Sequence, residues 1–516
     1  MWEPNDLERQ RLEKLERIRE QGINPYPPRV KRTHTISEAI GAYEAAEAAA
    51  RAAEGSGEAP APIPFTVTGR LTAHRPPGKS SWGHIEDGTG RVQIWLRVNE
   101  VGEETQALFN DQIDLFDFVE VEGTMMRTRR GEVTVLAQSF RPIAKALSPL
   151  PVVKERRLED GRVERYGGFT DPEERYRQRY ADLAVNPAVR EVFRIRAQTI
   201  SALRRFLDSE GFLEVETPIL QPIYGGAAAR PFVTHHNQLR QDLFLRISFE
   251  LYLKRLMVGM YEAVCEIGRD FRNEGVSRKH NPEFTQIEWY KAYIDYNGVM
   301  DITERMLAFV AEDVHGTTTI TFQGQPIDLA PPWQRLTLRD AILERTGIDY
   351  TRYPDAPSLA AVMREKGKRP SPDSTWGKLV DSLLGTDVEP YLIQPTFIID
   401  YPRDISPLAK MKPDDPTHVE RFEFFIGGLE MGNAFTEIND PLDQEQRFID
   451  MGRLYSADDE EAHPVDEDYL RAMRYGMPPN GGFGMGVDRL VMLMADRPNI
   501  REVLLFPHLR SREDEE

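Results

Sequence analysis

Phe271-Arg272-Asn273-Glu274-Gly275-Val276-Ser277-Arg278-Lys279-His280-Asn281-Pro282-Glu283-Phe284 concentrates cations, a histidine and carboxylates between two turn residues, Gly275 and Pro282. Apolar, strand-like segments flank it, Ala263 to Phe271 before and Phe284 to Ala292 after. The run therefore reads as the loop of a β-hairpin. As a surface loop of salt bridges alone it would be an expensive use of charge. Arginine carries a planar fork of donors that suits a phosphate or a carboxylate, so Arg272 points to an anionic ligand.

Two more clusters lie downstream. Phe422-Glu423-Phe424-Phe425-Ile426-Gly427-Gly428-Leu429-Glu430-Met431-Gly432-Asn433-Ala434-Phe435-Thr436-Glu437 sets carboxylates into an apolar, strand-like run. A buried carboxylate is costly unless it meets a cation. Glutamate oxygens suit Mg²⁺ held jointly with phosphates, and the bland alternative is an ion pair with a protein Arg or Lys. Gly482-Phe483-Gly484-Met485-Gly486 then leads into Val487-Asp488-Arg489-Leu490, a glycine-rich strand and turn entering a buried helix. Glycines there let a ligand approach the backbone.

Composition bounds what these clusters can belong to. A chain of 516 residues suits two to four domains. A single cysteine, Cys265, excludes an internal disulfide and a Cys-built zinc or iron–sulfur site. A reducing, cytoplasmic setting is expected. The net charge of −19 argues against a general nucleic-acid coat protein. No apolar run approaches a membrane span, and Met1 to Glu20 has no signal-peptide core. Neither a GxxxxGK[ST] loop nor a GxGxxG unit following a strand occurs, which argues against P-loop and Rossmann architectures.

Upstream, residues 5–21 read as a helix capped by Asn5 with Glu8 three positions on. Its Arg9, Arg11, Lys14, Arg17 and Arg19 form either a solvated face or a phosphate-attracting one. Residues 41–64 read as a short exposed helix and a flexible Ala/Pro-rich linker. From Phe65 the pattern becomes period two, through Arg91–Val98, Phe116–Gly123 and Glu132–Leu136, with a helix near 104–110. That order predicts an OB-type barrel, a fold that stacks single-stranded bases on aromatic rings. Trp82, near His74, Arg75 and Lys79, is the candidate platform. Residues 151–185 read as a charged connector, and Asn186-Pro187 starts a helix with Val189, Phe193, Ile200, Leu203 and Leu207 on its apolar side. Phe212 to Pro218 reads as a strand.

The three clusters, with Gly211-Phe212-Leu213-Glu214-Val215-Glu216-Thr217-Pro218 as a further motif, resemble class II aminoacyl-tRNA synthetases. Gly225-Gly226-Ala227-Ala228-Ala229-Arg230-Pro231-Phe232, Thr234-His235-His236-Asn237 and Glu250-Leu251-Tyr252-Leu253-Lys254-Arg255 are similar to the lysyl-tRNA synthetases of bacterial type. The resemblance runs in order from Phe65 to Arg510. It implies an α+β chain: an antiparallel catalytic sheet flanked by helices over 186–516, and an all-β OB anticodon-binding domain over 65–150. It implies a homodimer with Glu214 to Pro218 at the contact. Its substrates would be ATP, L-lysine and tRNA(Lys), with more than one Mg²⁺ per site, and no membrane would be involved.

Roles carried over by position are specific. Arg272 would bridge the amino acid carboxylate and the ATP α-phosphate. Glu274 would read adenine, Phe284 and Arg489 would sandwich its ring, and His280 and Asn281 would touch ATP. Glu423 and Glu430 would hold Mg²⁺. Glu250 and Glu437 would face the lysine ε-ammonium, with Tyr290 bonding it and Phe435 lining the pocket. Glu288 and Gly226 would take the α-amino group, and Asn433 would help to hold the carboxylate. Arg75, Trp82, Gln93 and Glu132 would read the anticodon. Four residues depart from the family's usual pattern: Ser248-Phe249 where Ala-Pro is frequent, Lys279 where arginine is usual, and Trp82 where phenylalanine is usual. His235 and His236 have no partners at zinc-like spacing and read as structural or pocket-lining. The competing readings are a paralogue that lysylates a protein and a non-catalytic regulator. The OB domain disfavours the first, and joint retention of Arg272, Glu423, Glu430 and Arg489 disfavours the second.

Overall fold

The computed structural model of the protein describes residues 2–54, 62–75, 80–151, 154–157, 163–166, 168, 171–372, 374–454 and 464–510. The chain divides into two units, Met1–Phe169 and Thr170–Glu516.

In the first unit, Asn5 and Glu8 close a reciprocal capping box on the helix Asp6–Glu20. Its cations are largely engaged inside the unit. Arg11 is buried and donates to the Ala146 carbonyl, Lys14 pairs with Asp114, Arg9 with Asp6 and Arg17 with Glu13. The phosphate-attracting reading of this face is not supported, because most of its charge is already paired.

Five strands follow: β1 Pro64–Arg75, β2 Ser80–Glu86, β3 Arg91–Arg97, β4 Phe118–Arg127 and β5 Val133–Ala144. They close a barrel in the order β1-β2-β3-β5-β4. Strand alternation fills it: Val92, Ile94 and Leu96 point inward on β3, while Gln93, Trp95 and Arg97 lie on the other face. The expected exposed helix is instead the longer Ile36–Glu54. Its Ile36, Ala39 and Tyr43 are buried in the barrel core. An amphipathic start hidden among alanines explains the difference, since the Ala-rich stretch masks the three residues that anchor it.

The second unit is built on an eight-stranded sheet. Its spatial order is Gln334–Thr337, Thr396–Pro402, His418–Ile426, Leu429–Thr436, Asn480–Gly486, Glu283–Ala292, Ala263–Phe271 and Leu213–Glu214. Pairing is antiparallel throughout the middle and parallel at both edges. The strand expected over 212–218 shrinks to Leu213–Glu214. The helix Pro187–Ser209 buries Leu203 and Leu207 as expected, together with Val192, Ala202 and Phe206. One sheet face packs on this helix and on Tyr296–His315, with Trp289 stacked on Phe483 at 5.0 Å. The far half of the expected connector belongs to this unit. Arg179, fully buried, donates to the carbonyls of Arg501, Leu504 and Leu505, which fixes the helices Pro172–Arg177 and Arg179–Val185 to it.

Candidate functional site

Strand register assembles the site. Across the sheet, Glu423 pairs with Asn433, Asn433 with Gly484, and Gly484 with Glu288. The neighbouring row is Arg421, Phe435, Gly482 and Tyr290. Side chains alternate along each strand, so both rows stand on one face while Phe483, Met485 and Ile287 enter the core. The glycines form a floor between two polar walls. A Cβ on Gly482 would overlap the Glu437 carboxylate and the Tyr290 ring, so a side chain here would force both to shift.

The result is a cavity of about 290 Å³. Arg272, Glu274, His280, Asn281 and Phe284 line it, as do Glu423, Glu430 and Arg489. So do Gly226, Glu250, Glu288, Tyr290, Asn433, Phe435 and Glu437. Every residue of the second unit assigned from the sequence to ATP, lysine or Mg²⁺ is therefore brought to one place. His235 and His236 are not. Both are exposed on the strand Val233–His236, where His235 pairs with Asp242, which corrects the pocket-lining reading.

The closed end of this cavity is dominated by carboxylates. Glu288 accepts from Ser248 Oγ (2.8 Å), Gln286 Nε2 (2.9 Å), the Phe249 amide (3.3 Å) and Tyr290 OH (3.2 Å). Burial, reinforced by Asp270 and Glu250, pushes the Glu288 carboxyl well above the usual range. Glu250 and Glu437 are raised for the same first reason. Both contact the ammonium of Lys254, which has no exposure and does not line the cavity. Burial opposes that ammonium's charge, yet the two glutamates hold its pKa above the ordinary lysine value. Gly226 has φ +89°, and a Cβ there would lie 2.9 Å from Glu250 Cβ and from Ser248 Oγ. Ser248-Phe249 leaves the helix Glu250–Val258 intact, because Ser248 Oγ accepts from the Glu250 amide at 3.1 Å.

The loop end is cationic and more open. Arg272 lies over the Phe284 ring at 5.1 Å. Arg489 donates to the Glu430 carbonyl (2.5 Å) and carboxylate (3.3 Å) and reaches His280 Nε2 at 3.3 Å. Burial and the Arg489 charge lower the His280 pKa. Asn281 is committed to backbone at both ends of its amide, to the Glu283 carbonyl and the His508 amide. Lys279 pairs with Glu389 at 2.5 Å. Glu423 accepts from Arg421 (2.7 Å) and Tyr401 OH (2.9 Å), so the ion-pair alternative is realised for this residue. Its carboxyl is nonetheless pushed up to about 8 by burial, with Glu430 and Asp381 adding like charge. Burial also weighs on Glu430, but Arg489 and its neighbours hold that carboxyl below its usual value.

Sequence reading missed Lys254 and Arg421. Lys254 is four residues after Glu250 on a helix, and Arg421 two before Glu423 on a strand. Both spacings put a cation on the carboxylate's own face, which was the available signal.

In the barrel, Trp82 stacks on Trp95 of the neighbouring strand at 4.4 Å with an 11° interplanar angle, and Arg97 lies over Trp95 at 4.9 Å. Arg75 is opposite Trp82 in the register. Gln93 accepts from Thr134 (2.8 Å) and Glu132 pairs with His84 (2.8 Å). His74 is spent on packing, edge-on against Phe109 at 4.5 Å, and Lys79 lies outside the described residues. Trp95 was legible from the period of β3 and completes a double aromatic platform.

The family model for class II tRNA synthetases (D, K and N) matches residues 171–510, and that for the OB-fold nucleic acid binding domain matches residues 65–143. The chain belongs to the class II tRNA synthetases. Within that family it is similar to curated lysine–tRNA ligases along nearly its whole length. That of Roseiflexus sp. (strain RS-1) is 52% identical over 99% of this chain and 100% of the relative. That of Chloroflexus aurantiacus is 52% identical over the same shares. That of Pelotomaculum thermopropionicum is 48% identical over 99% of this chain and 96% of the relative.

Proposed function

We propose that the chain is a lysine–tRNA ligase that joins L-lysine to its cognate tRNA(Lys) in two steps. An oxygen of the lysine carboxylate attacks the α-phosphorus of ATP, and pyrophosphate leaves to give lysyl-adenylate. A ribose hydroxyl at the tRNA terminus then attacks the acyl carbon, and AMP leaves. The nucleophile of the first step is already ionised, so no general base is required. Catalysis is positioning and charge neutralisation.

The observation that carries this reading is the closed end of the cavity, where Glu250, Glu288, Glu437 and Tyr290 meet. Carboxylates there suit a long side chain ending in an ammonium. Glu250 and Glu437 face the ε-ammonium, Tyr290 bonds it and Phe435 walls its stem. Glu288 and the backbone at Gly226 take the α-amino group. Asn433 and Arg272 hold the carboxylate at the junction with the loop end, and Arg272 also meets the α-phosphate. Arg489 and Phe284 sandwich the adenine, Glu274 reads its amino group and His280 meets the phosphates. Asn281 lines the same wall while its amide braces the loop.

Mg²⁺ fits Glu423 and Glu430. They are hard oxygen donors on adjacent strands lining one cavity, and the raised Glu423 carboxyl marks a place where added positive charge would be favourable. Two carboxylates completed by phosphate oxygens are what Mg²⁺ usually takes, and bound there it would neutralise phosphate charge.

Arg75, Trp82, Gln93 and Glu132 read the anticodon, with Trp82 and Trp95 as the stacking surface. The chain acts in the cytoplasm as a homodimer, with 214–218 at the contact. Exposed Leu213, Ile219 and Leu220 flanking that stretch support the dimer. No helix among the described residues is long and apolar enough to cross a membrane.

ATP–pyrophosphate exchange with each of the twenty amino acids, with and without Mg²⁺, tests the reading. Exchange with lysine alone, and only with the metal, is expected. Exchange with a different amino acid would overturn the assignment of Glu250 and Glu437.

A further inference from the structure

Lys254 is the one cation in contact with the carboxylates of the closed end among the described residues, and it is sealed away from the cavity those carboxylates line. From the helix Glu250–Val258 it reaches Glu250, one turn away, and Glu437, in the segment following the strand Leu429–Thr436. Its ammonium lies 5.3 Å from the Phe435 ring centroid and 5.9 Å from that of Tyr290. The buried Tyr469, on the helix Glu467–Arg474, faces the same cluster and its hydroxyl has no hydrogen-bond partner. Glu437 has no aligned hydrogen bond on either oxygen; its ion pair with Lys254 is its contact.

Charge counting gives this arrangement a purpose. Fully ionised, Glu250, Glu288 and Glu437 carry three negative charges and Lys254 one positive charge. The two left over equal the two ammonium groups of free lysine. Without Lys254, Glu250 and Glu437 would face one another buried and unscreened. One of them would take up a proton, because like carboxylates in one buried site do not both ionise near neutrality.

We infer that Lys254 is a positioning residue for amino acid selection: from behind the cavity wall it keeps Glu250 and Glu437 ionised and splayed as a two-carboxylate receptor for the substrate's terminal ammonium. The inference rests on the lysine reading of the closed end. Lys254 touches no substrate and acts through the two glutamates.

The test compares Lys254→Met and Lys254→Arg with the unaltered protein in ATP–pyrophosphate exchange, titrating L-lysine and ATP separately from pH 6.5 to 8.5. For Lys254→Met the KM for lysine should rise at least tenfold at pH 7 while the KM for ATP stays within twofold. The lysine KM should also improve as pH rises and the second carboxylate ionises, whereas the unaltered protein shows no such trend. Lys254→Arg should recover most of the lysine affinity at pH 7, which separates lost charge from lost packing. The groups facing Lys254 that share this titration are Glu250 on its own helix, Glu437, Tyr290 with Glu288 behind it, and Tyr469. A lower lysine KM in Lys254→Met, as bare attraction by an extra negative charge would give, overturns the inference. So does an equal rise for lysine and ATP, or an unchanged pH profile. If Lys254→Met does not fold, Lys254→Arg decides: an unaltered lysine KM and pH profile supports the inference, and a tenfold lysine-specific loss overturns it. Failure of the unaltered protein to exchange with lysine would instead defeat the underlying reading.

Discussion

At the closed end of the cavity Glu250, Glu288 and Glu437 are at most 6% exposed, and protein groups already hold them: Lys254, Ser248, Gln286, Tyr290 and the Phe249 amide. At the loop end Glu274 is exposed, Glu430 is partly so, and Arg489 shares itself among Glu430 and His280 through contacts as long as 3.3 Å. One end is held in place by the protein before a ligand arrives, and the other has donors a phosphate can recruit. The contrast follows from solvent access. A buried charge must be compensated inside the fold, whereas a charge at an open loop can wait in water. On the proposed function, discrimination among amino acids falls to the preorganised end, and charge neutralisation to the adaptable one.

The sharpest way to break this division is Glu437→Gln. Removing one member of a buried ion pair costs about 3–5 kcal/mol, which at about 1.4 kcal/mol per decade is a loss of about two to three and a half orders of magnitude in lysine KM. ATP should bind almost as before. Titrations of both substrates in pyrophosphate exchange decide it, and comparable losses for the two would mean that the ends are not separate.

Gly482→Ala should come next. The new methyl would overlap Glu437 and Tyr290, and overpacking of this kind costs about 1–3 kcal/mol. Lysine KM should rise about tenfold with the thermal midpoint lowered. The same substitution at Gly484 meets Gln286 Nε2 at 3.2 Å and should be milder. If Gly484→Ala proves the more damaging, the glycine floor has been misread.

A pH effect lies where the two ends join. Asp270 is fully buried, neither of its oxygens has an aligned hydrogen bond, and burial pushes its carboxyl up to about 7 despite Arg246 and Arg272. The folded chain thus holds a proton that the unfolded chain releases near 4. Between those values the folded state binds more protons, so stability falls as pH rises, and the decline levels off above about 7. Asp270→Asn should flatten that part of the curve of thermal midpoint against pH. An unchanged slope would show that Asp270 stays ionised beside Arg246.

These residues also show what the sequence could disclose. The barrel, the hairpin around 271–284 and the glycine strand were legible because alternation and turn residues are local signals. The cavity residues named in advance for the second unit were legible because motif order identified the family. Lys254 and Arg421 were not singled out, since a cation near a carboxylate on one face is ordinary in any solvated helix or strand. Only burial makes it consequential. Helix Ile36–Glu54 was misjudged because its anchoring residues are few and its alanines are many. Asp270 left no trace at all: its neighbours Arg246 and Glu288 come from distant stretches, and only the fold brings them within reach.

The smallest expected effect concerns the residue by which this chain departs from the usual Ala-Pro. Ser248 Oγ gives Glu288 one of its four hydrogen bonds and caps the Glu250 amide. Ser248→Ala leaves Gln286, the Phe249 amide and Tyr290 still bonded to Glu288. A single neutral hydrogen bond contributes about 1 kcal/mol, so lysine KM should rise no more than about fivefold and ATP KM should not move. Because Ser248 touches Glu288 and the start of the helix bearing Glu250, its loss should be felt at the α-amino group before the ε-ammonium. Binding of norleucine, which lacks the ε-ammonium, and of 6-aminohexanoate, which lacks the α-amino group, separates the two. A larger loss for 6-aminohexanoate than for norleucine would place Ser248 with Glu250 and Glu437 and redraw the boundary inside the closed end itself.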